Sequence, residues 1–318
     1  MLTSVIVKAH PPTPVTTFRL EFQVRPASDP STPNMPTVHD VETFWAGVWL
    51  YQFAAPIICD AGGTHYSYVR KQSATSYSFD VRWELPILSP AQVRNLLSPL
   101  YNKLNSLGIP VQLTVPPAVL PDPSARVNTG VGAAPANSYF ASRLFPRANW
   151  DNATIYNTTF AAIRATTEAG FVFHGVNFWT PLSVAGYPGS GNAIADHWRG
   201  AIMHADVFAD ALDLTQTTPE EFREDHARLE AVMDGIREAT PAGGAYVNEA
   251  DVLEPEWQAT FFGDKYKRLA LVKRERDPWG LFWAVKLPGS ERWEVEDEDG
   301  LPTQNGRLCL VQSGRGRR

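Results

Sequence analysis

Cysteine is scarce in this chain, and long apolar runs are missing. The 318 residues include two cysteines, Cys59 and Cys309, which are too few for a disulfide scaffold or a thiolate metal site. Their spacing alone leaves both a bridge and two free thiols open, and two unpaired thiols are favoured. No apolar stretch reaches about 18 residues, so the sequence predicts no membrane-spanning helix.

Basic residues are few relative to acidic ones. Lys and Arg number 28 against 34 Asp and Glu, the formal net charge is −6, and no long basic run occurs. This balance argues against a nucleic-acid surface and against a polybasic membrane patch. Apolar residues make up 44% and charged residues 19% of the chain, which is ordinary globular usage and argues against wholesale disorder. At roughly 150 residues per domain, the length fits one large or two modest domains.

Several motifs for cofactor binding and hydrolysis are also absent. No Gly-x-Gly-x-x-Gly turn follows a strand, no phosphate loop ends in Gly-Lys-Ser/Thr, and no Gly-x-Ser-x-Gly elbow occurs. Among the seven histidines, His197 and His204 have i, i+7 spacing, which differs from the i, i+4 spacing of a helical zinc site. The sequence therefore predicts no metal centre.

Aromatic residues, in contrast, are plentiful, with 10 Trp, 10 Tyr and 16 Phe. Side chains of this kind fill a broad core or line a pocket for a flat ligand, and core packing is the commoner use. In residues 76–83 apolar and aromatic side chains alternate with polar ones, which predicts a strand with one buried face.

Hydrophobic periodicity and turn residues predict interleaved strands and helices. The clearest helix begins with a reciprocal cap between Thr218 and Glu221 around Pro219. The predicted strands are residues 1–9, 15–25, 76–83, 111–115 and 170–178, and the predicted helices are 39–52, 90–107, 150–168, 219–238 and 255–274. Residues 116–148 are predicted to form a long irregular loop. Because strands and helices do not alternate regularly, the predicted fold class is α+β, with an antiparallel sheet flanked by helices.

The C-terminal third carries a specific series of residues. Tyr246, Asn248 and Glu249 form a Tyr-x-Asn-Glu motif. An aromatic-Gly-x-x-Tyr-x-Arg-Leu pattern and a Lys…Asp-Pro-x-Gly-x-Phe pattern follow, at Phe262, Gly263, Tyr266, Arg268, Leu269, Lys273, Asp277, Pro278, Gly280 and Phe282. This order resembles the C-terminal signature of berberine-bridge-type FAD-linked oxidases, in the fungal branch of the vanillyl-alcohol oxidase superfamily. Shorter matches at 3–11, 142–144, 192–199 and 306–309 extend the resemblance over nearly the whole chain.

The resemblance implies a division of the chain into three parts. Residues 1–25 would be remnant edge strands of the FAD-binding domain, residues 26–240 the substrate-binding α+β domain, and residues 241–318 a return segment that packs on the flavin site. The glycine-rich pyrophosphate loop and the flavin-bonding histidine of the family's first half do not precede Met1. We therefore expect a C-terminal half, whose N-terminal FAD-binding half is missing or is a separate partner.

The resemblance also assigns roles to the Tyr-x-Asn-Glu motif. Tyr246 would face the substrate as the catalytic residue and move a proton, since a tyrosine can take a proton from an alcohol. Asn248, together with Glu249, would bind the cofactor, because a flavin ring needs hydrogen-bond donors near its N1–C2=O edge. The alternative is an ordinary turn that follows Gly243 and Gly244.

Two further residues are candidate substrate ligands. His174 and Asn177 lie in the predicted strand 170–178 and would point into the substrate cavity. The alternative for His174 is a buried histidine with its hydrogen bonds satisfied, which is commoner in proteins. Arg268 is predicted to be a structural ion-pair residue.

Two functions remain open at this stage. The first is an FAD-linked oxidoreductase, or its C-terminal part, which oxidises a small alcohol or secondary metabolite by hydride transfer to flavin. The second is a truncated, non-catalytic paralogue or fragment that cannot hold FAD and either binds a hydrophobic small molecule or is inactive. Full-length relatives would be secreted or pass through the secretory pathway. The sequence opens with a strand-like pattern in place of the basic and apolar segments of a signal peptide, so we expect none here and assign no location to this chain.

Overall fold

The described part of the chain forms one large sheet with helices. The computed structural model describes residues 11–26, 35–120, 139–186, 191–209, 217–296 and 306–311. The strands are β1 (Val15–Val24), β2 (Thr37–Val38), β3 (Thr64–Ser73), β4 (Ser76–Pro86), β5 (Phe140–Pro146), β6 (Val172–Asn177), β7 (Ala201–Phe208), β8 (Trp293–Val295) and β9 (Leu308–Leu310). The helices are α1 (Val41–Asp60), α2 (Pro90–Ser106), α3 (Ala153–Glu168), α4 (Leu182–Ala185), α5 (His197–Gly200), α6 (Pro219–Ala239), α7 (Trp257–Phe262) and α8 (Tyr266–Arg276).

Among the described residues, the main sheet has seven strands in the order β2-β1-β4-β3-β6-β7-β5. Every pairing is antiparallel except the short parallel contact between β1 and β2. Strands β8 and β9 form a separate two-stranded sheet. The predicted α+β class with an antiparallel sheet and flanking helices is therefore confirmed.

Helices α1, α2, α3 and α6 pack together beside this sheet, and the core lies between the helices and the sheet. Helix α1 contacts β1 and β4, α3 contacts β3 and β6, and α6 contacts α3 and β5. The interior is aromatic: Phe22, Trp45, Phe79, Trp83 and Phe173 are each at most 1% exposed. Burial of such large rings stabilises the fold by about 1.5–3 kcal/mol per side chain. Many of the abundant aromatics therefore serve the core.

Helix ends follow the sequence signals. Thr218 and Glu221 form the predicted capping box at the start of α6, with the Glu221 amide donating to the Thr218 hydroxyl. Ser89 and Gln92 form a second capping box before α2. These caps satisfy backbone groups that a helix leaves without internal partners. The local sequence thus determines where both helices begin.

Three predicted elements differ from the structure. Residues 111–115 form no strand, and β5 lies inside the stretch that was predicted as a loop. In β5 the side chains from Ala141 to Phe145 are all buried, so the alternation that reveals a half-buried strand is lost. The helix predicted at 255–274 is interrupted, because Gly263 has φ of +55° and separates α7 from α8. A positive φ is compatible with glycine and cannot continue a right-handed helix.

The N-terminal segment joins the main sheet. Strand β1 pairs with β4 without a break from Val15 to Val24. The predicted strand 1–9 lies outside the described residues, and the division of the chain into three domains stays a prediction.

Both cysteines are free, as favoured from the sequence. Cys59 is buried in α1, and this burial raises the pKa of its thiol to about 12. A thiol with so high a pKa is a poor nucleophile at neutral pH. In the part of the chain that the structure describes, no helix combines the length and apolarity needed to cross a membrane.

Candidate active site

One row of side chains crosses the sheet on the face away from the core. Successive side chains of a strand point to opposite faces, and Val69 and Phe173 belong to the core. The residues before and after them, Tyr68 and His174, therefore point to the other face. His174 is also in register with Asp206 of β7. The rings of Tyr68 and His174 stack with 4.2 Å between centroids.

A C-terminal segment, residues 241–296, reaches this face at strand β5. The amide of Leu144 donates to the carbonyl of Gly244 at 2.7 Å, and the amide of Tyr246 is 3.4 Å from the Ser142 hydroxyl. A Cβ atom on Gly243 would lie 2.4 Å from the Leu144 carbonyl oxygen. Glycine is therefore required at 243 for the segment to approach the strand this closely.

The approach places Tyr246 over the end of the sheet. Its ring meets Trp198 edge-on at 5.3 Å and His204 edge-on at 5.7 Å between centroids. Asn248 lies in the following 3₁₀ turn, and its Nδ2 donates to the Tyr246 hydroxyl oxygen at 2.9 Å. Tyr246 is half-buried and Asn248 is exposed. The phenol oxygen is thus held by an amide donor at the edge of the covered region.

A row of histidine and carboxylate side chains lies under this tyrosine. His174 Nδ1 and Asp206 Oδ2 are 3.0 Å apart, and Asp206 Oδ1 is 3.0 Å from His204 Nε2. His204 Nε2 is also 2.8 Å from Glu249 Oε2. Asp206 and His204 are each only 5% exposed. These contacts join strands β6 and β7 to the turn that carries Tyr246.

The local electrostatics favour the ionised forms of His204 and Asp206. Burial by itself would lower the pKa of His204, but its hydrogen bonds and charge interactions with Asp206 and Glu249 outweigh burial and raise that pKa to about 9. Burial opposes ionisation of Asp206 as well, yet hydrogen bonds from His174 and His204 bring its pKa below the usual value. A buried imidazolium between two carboxylates is therefore the resting state near neutral pH.

Comparison with known proteins identifies the family of this chain. The family model described as "Berberine and berberine like" matches residues 245–286. The bifunctional decalin synthase calF of Penicillium decumbens is 31% identical over 281 residues, covering 86% of this chain and 46% of that protein. The crystal structure of the VAO-type flavoprotein MtVAO615 from Myceliophthora thermophila superimposes with a TM-score of 0.69 at 25% identity, over 94% of this chain and 50% of that one. The chain is a berberine-bridge-like member of the vanillyl-alcohol oxidase superfamily.

Other relatives agree with this assignment. The FAD-linked oxidoreductase ZEB1 of Gibberella zeae is 26% identical over 326 residues, covering 96% of this chain and 49% of that protein. The VAO-type flavoprotein MtVAO713 has the same fold, with a TM-score of 0.73 at 18% identity. The berberine-bridge-like chain spans about half the length of the curated relatives it matches.

The structure brings most of the proposed site residues together. Tyr246, Asn248 and Glu249 lie in one turn, and His174 connects to Glu249 through the buried charge chain. Asn177 is not part of this group. It is fully buried on the core face of β6, where its Nδ2 is 3.5 Å from a backbone carbonyl. Positions 174 and 177 differ by an odd number, so their side chains must point to opposite faces of the strand.

Sequence analysis of the berberine-bridge-like chain missed His204, Asp206 and Trp198 as members of the site. From the sequence, His204 enters only through its i, i+7 spacing with His197, which does not fit a helical zinc site. The signal was present, because His204 and Asp206 are alternate polar residues in an otherwise apolar stretch, 201–208. Alternate polar residues in a strand share one face, and a buried charged pair needs partners on that face.

A second charged group ties the C-terminal segment to helix α6. His226 Nε2 is 2.5 Å from Asp251 Oδ2, and Glu230 lies within 4.8 Å of both groups. Glu230 is paired with Arg237, and Asp251 Oδ1 accepts the amide of Leu253 at 2.8 Å. The His226–Asp251 pair therefore ties the helix to the segment, while Glu230 has a partner within α6 and Asp251 a further partner within the segment.

Proposed function

We propose that the chain is the substrate-binding half of an FAD-dependent oxidoreductase, which oxidises a small alcohol or secondary metabolite. The observation that carries this proposal is Tyr246, held by Asn248 above a buried charge chain on the open face of the sheet. The names of the relatives, which include FAD-linked oxidoreductases and flavoprotein oxidases, support the same reaction class.

The residues of this face suit the ring of a flavin and its substrate. Two buried ring nitrogens, His174 Nε2 and His204 Nδ1, have no hydrogen-bond partner among the described residues. Unpartnered buried polar atoms are uncommon in folded proteins, so a bound group would complete them. The sequence holds no glycine-rich phosphate loop, so its residues do not fit the pyrophosphate of FAD. The fit therefore covers the ring side of the cofactor only.

Tyr246 is the group that moves a proton in this proposal. When bound, FAD would supply the acceptor for the hydride that leaves the carbon carrying the substrate hydroxyl. The hydroxyl proton would pass to the Tyr246 oxygen in its tyrosinate form, as the substrate becomes a carbonyl compound. Asn248 Nδ2 donates to that oxygen at 2.9 Å, so it would stabilise the tyrosinate that accepts the proton. Trp198 and the sheet limit access of water to the tyrosine ring.

An N-terminal FAD-binding half is the partner that completes the site in this proposal. Trp279, Leu281 and Phe282 are 87%, 79% and 78% exposed, and all three belong to the segment matched by the family model. Exposed apolar residues grouped in this way are typical of an interface. The doubled length of the relatives supplies a chain of suitable size to cover them.

A fusion protein tests the proposal. The N-terminal half of the flavoprotein oxidase VAO615 of Thermothelomyces thermophilus, a relative with 30% identity over 279 residues, is joined to this chain. We expect the fusion to retain flavin, seen as absorbance at about 350–500 nm, and the chain alone to stay colourless. A chain that binds stoichiometric FAD unaided would contradict the need for the other half, and a fusion without flavin would contradict the proposed function.

Substitution of the tyrosine tests its role in the flavin-loaded fusion. Tyr246→Phe is expected to lower turnover of an alcohol substrate by about 10²–10⁴-fold, because proton transfer loses its acceptor. Tyr266→Phe is the matched control, since the Tyr266 hydroxyl donates to Glu291 in the same segment. Equal turnover for Tyr246→Phe and the control would remove Tyr246 from the mechanism.

A further inference from the structure

The turn that carries Tyr246 has two strong attachments to the sheet. On its N-terminal side the Leu144 amide donates to the Gly244 carbonyl at 2.7 Å. On its C-terminal side Glu249 Oε2 lies 2.8 Å from His204 Nε2. Between them, the contact from the Tyr246 amide to Ser142 is long, at 3.4 Å. The position of the tyrosine therefore depends on both ends of the turn.

The attachment at Glu249 is made between side chains, whereas the attachment at Gly244 is a backbone hydrogen bond. Glu249 is half-exposed, with 39% of its side chain accessible, whereas the side chains of His204 and Asp206 are 6% and 7% accessible. An exposed carboxylate gains little from an exposed partner. A buried imidazole that is already oriented by Asp206 gives it a fixed partner, since charge-assisted hydrogen bonds in a low dielectric are strong.

Asp206 is oriented in turn from the opposite side. Its second carboxylate oxygen is 3.0 Å from His174 Nδ1, and the His174 ring is stacked on Tyr68. His174 thus holds one oxygen of the carboxylate by a hydrogen bond, and His204 faces the other oxygen at 3.0 Å as an ion pair from the neighbouring position on β7. Such a unit has little rotational freedom, because strand register fixes each Cα position.

We propose that His174, Asp206 and His204 form a positioning unit that holds Glu249 and so fixes the hydroxyl of Tyr246 over the sheet. None of the three is hydrogen-bonded to the tyrosine hydroxyl, so their role is exerted through Glu249 and through the edge-on contact of the His204 ring with the Tyr246 ring. The value of this placement for catalysis rests on the function proposed above, whereas the placement itself is a property of this chain.

The charge state of His204 links the unit to pH. The titratable groups that face His204 are Asp206 on its own strand, His174 on β6 through Asp206, and Glu249 and Tyr246 on the C-terminal segment. With two carboxylates as the nearest charges, the imidazolium persists to about pH 9. Above that pH the bond to Glu249 loses its charge and the turn is less firmly held.

Nuclear magnetic resonance of the flavin-free chain tests the unit. Histidine ring carbons labelled with ¹³C report the charge of His204, and the methyl groups of Val247, inside the turn, report its position. We expect the Val247 signals to move with the same midpoint as the His204 ring, near pH 9. Asp206→Asn should lower that midpoint by about one pH unit or more, and the Val247 signals should follow.

Substitutions within the attachment supply the next comparison. Glu249→Ala should move the Val247 methyl signals at pH 7 and remove their dependence on His204. Glu249→Gln should restore much of the original position, since an amide still bonds to the ring. His226→Gln is the control, because His226 ties the same segment to α6 through Asp251; its Val247 signals should keep the His204 midpoint.

The outcomes separate this inference from the proposed function. Core methyl signals of Val69 and Val81, both fully buried, show that each variant is folded. If Val247 in folded Asp206→Asn and Glu249→Ala chains matches the wild type at every pH, the positioning unit is refuted. Because no flavin is present, failure of the fusion protein to bind FAD leaves this result standing, and the reverse also holds.

Discussion

Two buried histidines on opposite faces of the same sheet differ in charge near neutral pH, one being neutral and the other positively charged. His65 on β3 is fully buried on the core face, where it contacts Tyr51 and Cys59 and stacks on Trp83. Burial lowers its pKa to about 3. His204 on β7 is 5% exposed on the other face, and its pKa is raised to about 9.

The difference comes from partners, because burial is nearly the same. His65 contacts aromatic and thiol groups and remains neutral, whereas two carboxylates, Asp206 and Glu249, compensate the charge of His204. The core face therefore stabilises the fold by packing, whereas the open face keeps an ion-paired group of buried charges. Ionised groups buried at such a cost commonly serve a site.

The largest expected effect comes from breaking the buried pair on the open face. Asp206→Ala leaves the imidazolium with one half-exposed partner, and we expect a loss of about 3–5 kcal/mol in the free energy of unfolding. Asp80→Ala is the control, because Asp80 pairs with Arg70 at 32% and 38% side-chain exposure and should cost about 0–1 kcal/mol. Urea unfolding at pH 7 measures both, and equal losses would contradict the contrast.

An intermediate effect is expected when the core histidine is made non-titratable. The unfolded chain binds a proton near pH 6.5, while folded His65 does not until about pH 3. Its contribution to stability is therefore complete above pH 6.5 and is lost as the pH falls, on the order of 3 kcal/mol between pH 6.5 and 4. His65→Gln should flatten this acid limb in urea unfolding. An acid limb as steep as that of the wild type would show that His65 is not the cause.

An effect of similar size is expected on the alkaline side. Folded His204 holds its proton to about pH 9, whereas the unfolded chain loses it near 6.5. The resulting stability is complete below pH 6.5 and is lost as the pH rises through 9, on the order of 3 kcal/mol. The free energy of unfolding of the His204→Gln variant should be nearly independent of pH between 6.5 and 9 in the same assay. If the variant loses as much stability as the wild type over this pH range, other groups cause the loss.

Local signals in the sequence were sufficient for much of the fold. Capping residues and periodicity predicted α2 and α6 closely, and alternation predicted β4. Strand β5 was missed because neighbours on both faces bury it, so no polar alternation remains. The break at Gly263 depends on a backbone conformation that a helical pattern does not reveal.

The site was only partly accessible to sequence reasoning. The Tyr-x-Asn-Glu motif indicated Tyr246 and Asn248 through a family resemblance. Asp206 and His204 become neighbours of Glu249 only when β7 and the C-terminal segment meet, which is a long-range contact. Asn177 was assigned to the same face as His174, although strand alternation separates them.

The most direct measurement follows both histidines in one sample. A chain labelled with ¹³C in its histidine rings is titrated from pH 4 to 10 at 25 °C, with His65→Gln and His204→Gln for assignment. The account predicts a His65 ring that stays neutral as long as the chain is folded, and a His204 ring that stays charged to about pH 9. Midpoints for both rings near the ordinary value of 6.5 would contradict it.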